Sequence, residues 1–105
     1  MMELYQYYFI LFLIDYNNNI TFISNTDPVT YTPDIKCAKL YDSEVNVDND
    51  ILANYDRMRN LMDNTSIVSF NKGYVKKNIS TGVIEIERRE MIIWISIPII
   101  LQTFY

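Results

Sequence analysis

The sequence contains few residues of the types that carry nucleophilic catalysis. It has one cysteine, Cys37, and no histidine, so neither a thiol nor a hydroxyl group can be paired with an imidazole base. Lys36 and Lys39 lie close to Cys37 in the sequence and would favour its thiolate form, but a small residue on a local turn also serves for packing. We therefore predict no catalytic residue, and we expect that the chain is not an enzyme.

Residues 40–56 have a local charge of −5, because five acids occur there without a lysine or an arginine. These acids are Asp42, Glu44, Asp48, Asp50 and Asp56. Their composition resembles a calcium-binding loop, but the frame Asp-x-Asp-x-Asp-Gly with a later glutamate is missing. We predict no metal and no cofactor. Two interpretations stay open: a solvated helix entrance favoured by the helix dipole, or a partner-binding surface that imitates the phosphates of DNA.

Three further acids, Glu85, Glu87 and Glu90, are close enough in sequence to suggest paired carboxylates for proton transfer. Glu85 and Glu87 alternate with Ile84 and Ile86, which is the pattern of a strand with one solvated face. This structural explanation is sufficient, so we assign these glutamates no chemistry.

Residues 70–89 have a local charge of +3, from five lysines and arginines against two glutamates. Within them, the stretch FNKGYVKK contains an alternative binding site, for nucleic acid, made of Phe70, Lys72, Tyr74, Lys76 and Lys77. On an exposed hairpin, the rings would stack on bases while the lysines contact phosphates. An ordinary hairpin with solubilising lysines is the other interpretation. The net charge of −4 makes nucleic acid the less favoured partner.

The N-terminal part of the chain is expected to form strands joined by polar turns. Residues 4–24 predict a β-hairpin with its turn at residues 17–19, since aromatic and branched residues flank three asparagines. Residues 25–33 are expected to form a connecting loop. Asp34 should then cap one helical turn over residues 35–38, and residues 39–41 should form a short strand.

The C-terminal part is expected to contain the main helix and further strands. Apolar residues recur at helical spacing over residues 50–62, so we predict a helix there with Asp48 or Asn49 as its N-cap. Strands are expected over residues 67–70 and 74–79, joined by a tight turn in which Gly73 takes a positive φ. A turn at residues 80–82 and a last strand complete the pattern. This strand alternates over residues 83–87 and becomes apolar on both faces over residues 92–97, with Pro98 at an edge, a bulge or the strand's end.

Together these elements predict an α+β fold in a single domain, residues 1–105: an antiparallel sheet of five or six strands with one main helix packed on it. An apolar content of 50% is enough for a hydrophobic core. Strands that are apolar on both faces exceed what one helix covers, so a homodimer, a partner protein or a thick self-contained core is expected. The longest apolar segments, residues 7–14 and 91–105, are too short for a membrane span.

A resemblance to a known group of proteins is carried by residues 30–44, TYTPDIKCAKLYDSE. A β-hairpin, a joint of the type T-x-D-I-x-x-A-K-x-Y/F and a helix resemble a pattern of small accessory proteins from bacteriophages and other mobile elements. The matching residues are Thr32, Asp34, Ile35, Ala38, Lys39 and Tyr41. The resemblance extends over residues 5–62 and brings no catalytic residue with it. The chain departs from the pattern at the start of the helix, which is not rich in alanine.

Accessory proteins of this kind often bind and block a host protein, including CRISPR and restriction machinery. The resemblance therefore implies a phage-encoded, non-catalytic inhibitor, similar to anti-CRISPR proteins, in the cytoplasm of the infected host cell. Its five acids would occupy the basic nucleic-acid channel of a host nuclease complex, while tyrosines and strand edges supply apolar contact. The alternatives are a nucleic-acid-binding module built on a hairpin at residues 72–77, and an oligomeric structural viral protein that assembles through residues 92–100.

Overall fold

The fold is an antiparallel β-sheet with two helices, as described by a computed structural model of residues 4–64 and 66–92. Its strands are β1 (Tyr5–Asp15), β2 (Ile20–Thr26), β3 (Val29–Thr32), β4 (Ile67–Asn78) and β5 (Ile84–Met91). Its helices are α1 (Glu44–Ala53) and α2 (Tyr55–Asn64), preceded by a 3-10 turn over Ile35–Cys37. The strand order is β3-β2-β1-β4-β5, with all neighbours antiparallel. This confirms the predicted α+β class and five-stranded sheet.

The N-terminal hairpin and its asparagine turn are confirmed. Phe12 of β1 pairs with Phe22 of β2. In the turn, the Asp15 carboxylate accepts hydrogen bonds from the backbone N–H groups of Asn17 at 2.8 Å and Asn19 at 2.9 Å. Asn18 takes a φ of 63°, a left-handed conformation that asparagine tolerates better than most residues.

The segment between the hairpin and the helices is more ordered than predicted. Residues expected to form a loop contain β3, which pairs with β2 as the edge of the sheet. The cap at Asp34 is confirmed, because its carboxylate accepts a hydrogen bond from the Lys36 N–H at 3.0 Å and a 3-10 turn follows. The short strand predicted at residues 39–41 was too long. Only a single bridge forms, in which Tyr41 and Phe9 exchange two backbone hydrogen bonds of 2.8 Å.

The single helix predicted over residues 50–62 was wrong in its start and in its continuity. Helix α1 begins at Glu44, and Ser43 is its N-cap, accepting a hydrogen bond from the Asn46 N–H at 3.2 Å. Asp48 is therefore inside the helix. The helical segment breaks at Asn54, whose φ and ψ of −117° and 19° are not helical, and α2 follows. The Asp50 carbonyl accepts two hydrogen bonds from Asn54, one from its backbone N–H at 3.1 Å and one from its side-chain amide at 3.0 Å.

The hairpin predicted at residues 67–79 was also wrong, because β4 runs through it without a turn. Gly73 pairs with Ile10 of β1 on one side and with Arg89 of β5 on the other. A Cβ atom at Gly73 would lie 3.2 Å from both Ile10 Cγ1 and Phe12 Cε1. Glycine thus provides space here beside a packed neighbour strand, whereas the sequence pattern suggested a need for positive φ.

The turn before β5 is confirmed. Gly82 has a φ of +76°, and its N–H donates to the Asn78 carbonyl at 2.8 Å. Strand β5 begins at Ile84 and continues past the alternating residues 83–87 to Met91, toward the part predicted to be apolar on both faces. That part, residues 92–97, lies outside the described residues together with Pro98, apart from Ile92, whose N–H donates to the Phe70 carbonyl at 2.9 Å.

Apolar side chains are buried on both faces of the sheet. On one face, Leu11, Leu13 and Phe70 pack with Val47 of α1 and Met58 of α2. The opposite face buries a second group of apolar residues: Ile10, Phe12, Phe22, Ala38, Val75 and Ile84. In place of a helix, residues that follow β3, such as Ala38, cover this face. Within the described part of the chain, both faces of the sheet therefore bury apolar side chains. None of the described helices is long and apolar enough to cross a membrane.

Candidate partner-binding surface

The five acids of residues 40–56 do not form an unpaired acidic surface. Glu44 and Asp48, on the first two turns of α1, lie 3.0 Å and 2.8 Å from the Lys72 Nζ atom of β4. Asp50 lies 3.1 Å from the Nζ atom of Lys39. The remaining two, Asp42 and Asp56, are exposed and have no ion pair with another described residue. The acidic stretch is therefore largely neutralised by lysines outside it.

Lys72 joins α1 to the sheet. Its side chain is only 12% exposed, and burial alone would lower its pKa. The hydrogen bonds that it donates to Asp48 and Glu44 outweigh burial, so the Lys72 pKa lies above its usual value. The same hydrogen bond from Lys72, with its charge, lowers the pKa of Glu44. Lys72 and the two acids are thus already occupied by one another.

Asp50 is the centre of a polar network at the other side of α1. Its carboxylate accepts hydrogen bonds from Asn54 Nδ2 at 2.7 Å and from Thr26 Oγ1 at 2.9 Å, and also from the Tyr41 hydroxyl group. Lys39 Nζ adds a donor at 3.1 Å. Burial acts to raise the Asp50 pKa, but these donors outweigh it and the pKa is lowered. Because the Asp50 side chain is only 18% exposed, it fastens α1 to β2 and offers little to a partner.

The same network affects Tyr41, which is 5% exposed. Burial, together with the neighbouring Asp50 carboxylate, raises the pKa of the Tyr41 hydroxyl well above its usual value. The phenol therefore stays protonated and keeps donating to Asp50.

The five residues of the alternative nucleic-acid site are not displayed together. Phe70 is 0% exposed, so its ring is not accessible for stacking on a base. Lys72 is paired as described above, and Lys76 lies 3.4 Å from Glu87 and 3.7 Å from Glu85. Lys77 follows Lys76 in an extended strand and therefore projects from the opposite face of the sheet. Tyr74 and Lys76 are the two members of the set that contribute to an aromatic surface.

That surface is the part of the helix-bearing sheet face that lies beyond the helices. We call it the open sheet surface, and it consists of Tyr5, Tyr7, Tyr74, Lys76 and Arg88. The strand register explains its composition, since Tyr7 pairs with Lys76 across β1 and β4, and Tyr74 pairs with Arg88 across β4 and β5. Side chains at paired positions project from the same face.

The rings and cations of the open sheet surface are stacked on one another. The Tyr7 and Tyr74 rings are nearly parallel, with centroids 5.6 Å apart and an interplanar angle of 11°. The Arg88 guanidinium carbon lies 4.8 Å from the Tyr74 centroid, and Lys76 Nζ lies 4.8 Å from that of Tyr5. Tyr7 remains 49% exposed. An ordered aromatic platform is thus open to contact from outside.

A pocket of about 290 Å³ adjoins this surface where α1 begins beside β4 and β5. We call it the arginine pocket, and it is lined by Glu44, Lys72, Tyr74, Arg88, Arg89 and Glu90. Lys72 and Glu44 satisfy each other. Arg88 and Arg89, by contrast, have no ion pair with any residue in the described ranges.

Cys37 is a free, exposed cysteine. Lys39, one of the two lysines near it in sequence, is directed to Asp50 instead. The Cys37 thiol faces the Asp34 carboxylate, at 3.8 Å. Across residues 4–64 and 66–92, no group of three or more Cys, Asp or Glu residues is arranged to hold a metal ion.

The sequence interpretation missed Tyr5, Tyr7 and Arg88 as surface residues. Tyr5 and Tyr7 alternate along β1 and thus share a face, which is a local signal. Their proximity to Arg88 follows only from the β1–β4 and β4–β5 registers, which depend on β4 being one uninterrupted strand.

No protein-family model matches the chain, and no curated protein or solved structure matches it either. A functional proposal therefore rests on the surfaces described above and on the resemblance of residues 30–44.

Proposed function

We propose that this chain is a non-catalytic binding protein that occludes a surface of another protein, and that the open sheet surface makes the contact. The observation that carries the proposal is the stack of Tyr7, Tyr74 and Arg88, which is exposed at Tyr7 and held rigid by the sheet. Tyrosine and arginine are enriched among the residues that dominate the energy of protein interfaces. A stacked ring also loses little conformational entropy when a partner covers it.

The state of the lysines supports a protein partner over nucleic acid. Binding to nucleic acid draws its affinity from cations that neutralise phosphates and release counterions. Lys72 and Lys76 each already lie within 4 Å of two carboxylates, so their charges are compensated within the chain. A surface of mixed charge with exposed aromatic rings is the pattern expected for a protein interface.

The biological setting of the proposal comes from the resemblance to small phage accessory proteins. In that setting the partner is a host defence or nucleic-acid-processing protein, such as a CRISPR or other nuclease complex, and the chain acts as a stoichiometric inhibitor. The paired state of Glu44, Asp48 and Asp50 argues for moving the principal contact from the acids to the open sheet surface. Asp42 and Asp56 remain available for electrostatic steering toward a basic partner.

The test is affinity capture of the host partner, followed by measurement of the activity of the captured complex. We expect Tyr7→Ala to reduce capture at least tenfold, roughly the loss typical of an interface hot spot. Tyr31→Ala is the matched control, because Tyr31 is similarly exposed at 52% but lies on β3 at the far edge of the sheet. Inhibition should be complete near one equivalent of the protein, without turnover.

Two results would contradict the proposal. Equal capture by Tyr7→Ala and the wild-type protein would show that the open sheet surface is not the interface. Complete inhibition by far less than one equivalent of the protein would indicate that it acts catalytically and not by occlusion. The double variant Asp42→Lys with Asp56→Lys tests the acidic-surface hypothesis. That hypothesis expects the double variant to reduce capture of the partner more than Tyr7→Ala does.

A further inference from the structure

Three basic residues line the arginine pocket, and among them Arg88 projects from the helix-bearing face of the sheet and makes no ion pair with another described residue. Arg89 pairs with Gly73, so its side chain projects from the opposite face. Lys72, the third cation of its lining, is neutralised by Glu44 and Asp48 at 3.0 Å and 2.8 Å. Arg88 and Arg89 make no such pair with a described residue. The pocket therefore has hydrogen-bond donors for an acidic group and, at about 290 Å³, the room to admit one.

Arg88 is held in place before any ligand arrives. Its guanidinium group stacks on the Tyr74 ring, with 4.8 Å between the guanidinium carbon and the centroid. Tyr74 is itself fixed between Tyr7, at 5.6 Å, and Phe9, at 5.1 Å between centroids. Stacking uses the flat face of the guanidinium group, so the N–H donors along its edge stay available for two parallel hydrogen bonds.

The charges around the pocket select among anions. On the helix-bearing face, Glu44, Asp48 and Glu90 surround Lys72 and Arg88, so the formal charge of these five groups is −1. The lining carboxylates of Glu44 and Glu90 would repel a doubly charged phosphate about twice as strongly as a singly charged group, which offsets its attraction to Arg88. A carboxylate carries one charge and matches the planar guanidinium in a bidentate arrangement.

We propose that the arginine pocket binds the carboxylate of an aspartate or glutamate side chain on the partner protein, with Arg88 as its bidentate donor. This inference rests on the proposed function, since it specifies the chemistry of the partner at the edge of the open sheet surface. The partner segment carries an acid that enters the pocket beside the tyrosine platform. Specificity then comes from the fixed guanidinium edge, while the tyrosines contribute apolar contact.

The site can be tested without the partner, by nuclear magnetic resonance of the arginine Nε–Hε groups in the whole chain. The probes are a capped peptide with one aspartate among alanine and serine residues, the same peptide with asparagine, and inorganic phosphate. We expect the aspartate peptide to give a saturable shift of the Arg88 Nε–Hε signal, and the asparagine peptide to give none. Arg88→Lys should weaken binding of the aspartate peptide about tenfold, because lysine keeps the charge but cannot donate two parallel hydrogen bonds to one carboxylate.

Arg57→Lys is the matched control, because Arg57 is another exposed arginine on α2, already 3.3 Å from Asp27. It should leave peptide binding unchanged. Absence of a saturable shift at Arg88, an equal response to both peptides, or stronger binding of phosphate would each overturn the carboxylate assignment.

Capture of the partner separates this inference from the proposed function. If Tyr7→Ala loses the partner while Arg88→Lys keeps it and no peptide binds, the open sheet surface stands and the carboxylate site fails. If both variants keep the partner, the proposed function itself fails.

Discussion

The Phe12 ring occupies the space beside Gly73 on the neighbouring strand, so that a Cβ atom on Gly73 would lie 3.2 Å from Phe12 Cε1. Phe12 is 0% exposed and has little room to move away. We therefore expect Gly73→Ala to lower the free energy of unfolding by about 1–3 kcal/mol, the usual cost of overpacking a core. Chemical denaturation monitored by tyrosine or tryptophan fluorescence measures this directly.

The control for Gly73→Ala is the same substitution in a Phe12→Leu background. Leucine withdraws the ring atoms that the new methyl group would meet, so the cost of Gly73→Ala should be smaller there than in the wild-type background. A cost that is unchanged by Phe12→Leu would show that the ring is not the obstacle. A stabilising effect of Gly73→Ala would contradict the close approach of β1 and β4.

Stability should fall in acid, and Asp50 should account for part of the loss. The pKa values of Asp50 and Glu44 are lower in the fold than their usual values of 3.8 and 4.5. A lowered pKa contributes stability above the unfolded-state value, and that contribution is lost as the pH falls through the folded-state value. We therefore expect the free energy of unfolding to be level from about pH 7 to about pH 5 and to decrease below about pH 4.5.

Two variants check the origin of this acid dependence. Asp50→Asn should be less stable at neutral pH and should lose less stability on acidification, since one of the responsible carboxylates is gone. Asp42→Asn should follow the wild-type profile, because Asp42 is exposed and has no ion pair with a described residue. If Asp50→Asn shows the full wild-type dependence, the network around Asp50 does not carry it.

Elements determined by local chemistry were predictable from the sequence. The turn after β1 needs an aspartate acceptor and an asparagine with positive φ; Asp15 supplies the acceptor and Asn18 the positive φ. Asp34 caps its turn through a hydrogen bond that spans two residues. The turn at Gly82 was likewise predictable, because the sequence Ser-Thr-Gly is typical of a turn.

Elements determined by distant contacts were not predictable in the same way. Gly73 looks like a hairpin glycine until β1 places Ile10 and Phe12 beside it. The acidic run looks unpaired in sequence because its counterions, Lys39 and Lys72, lie outside it. The open sheet surface depends on two strand registers at once, which no periodicity within one strand encodes.

The N-cap of α1 is Ser43 in the structure, whereas the sequence pattern predicted a cap at Asp48 or Asn49. Ser43 accepts the hydrogen bond that caps the helix, so Ser43→Ala should cost about 1 kcal/mol of unfolding free energy. Asn49, a predicted cap, is exposed inside α1, and Asn49→Ala should be neutral or slightly stabilising because alanine favours helix. Thermal unfolding of the two variants beside the wild-type protein decides between the positions. A larger loss of stability for Asn49→Ala than for Ser43→Ala would favour the predicted helix start at residue 50.

Lys72→Met distinguishes the two binding mechanisms by the sign of its effect. Methionine keeps an unbranched apolar side chain in the space beneath α1 but removes the cation that Glu44 and Asp48 share. Because both acids are about half exposed and water can solvate them, the cost in stability should stay below about 1 kcal/mol. The Glu44 pKa, measured by carboxyl resonance titration, should rise toward its usual value, since the hydrogen bond from Lys72 is the main cause of its depression.

The variant changes capture in opposite directions under the two mechanisms. If the acids imitate nucleic acid, releasing Glu44 and Asp48 from Lys72 should strengthen binding to a basic partner. If a carboxylate of the partner binds at Arg88, the released acids repel it across the arginine pocket, and binding should weaken. Glu44→Gln in the Lys72→Met background removes one of the repelling charges and should restore part of the capture under the second mechanism alone. Stronger capture by Lys72→Met than by the wild-type protein would support the acidic stretch as the principal contact and contradict the carboxylate site at Arg88.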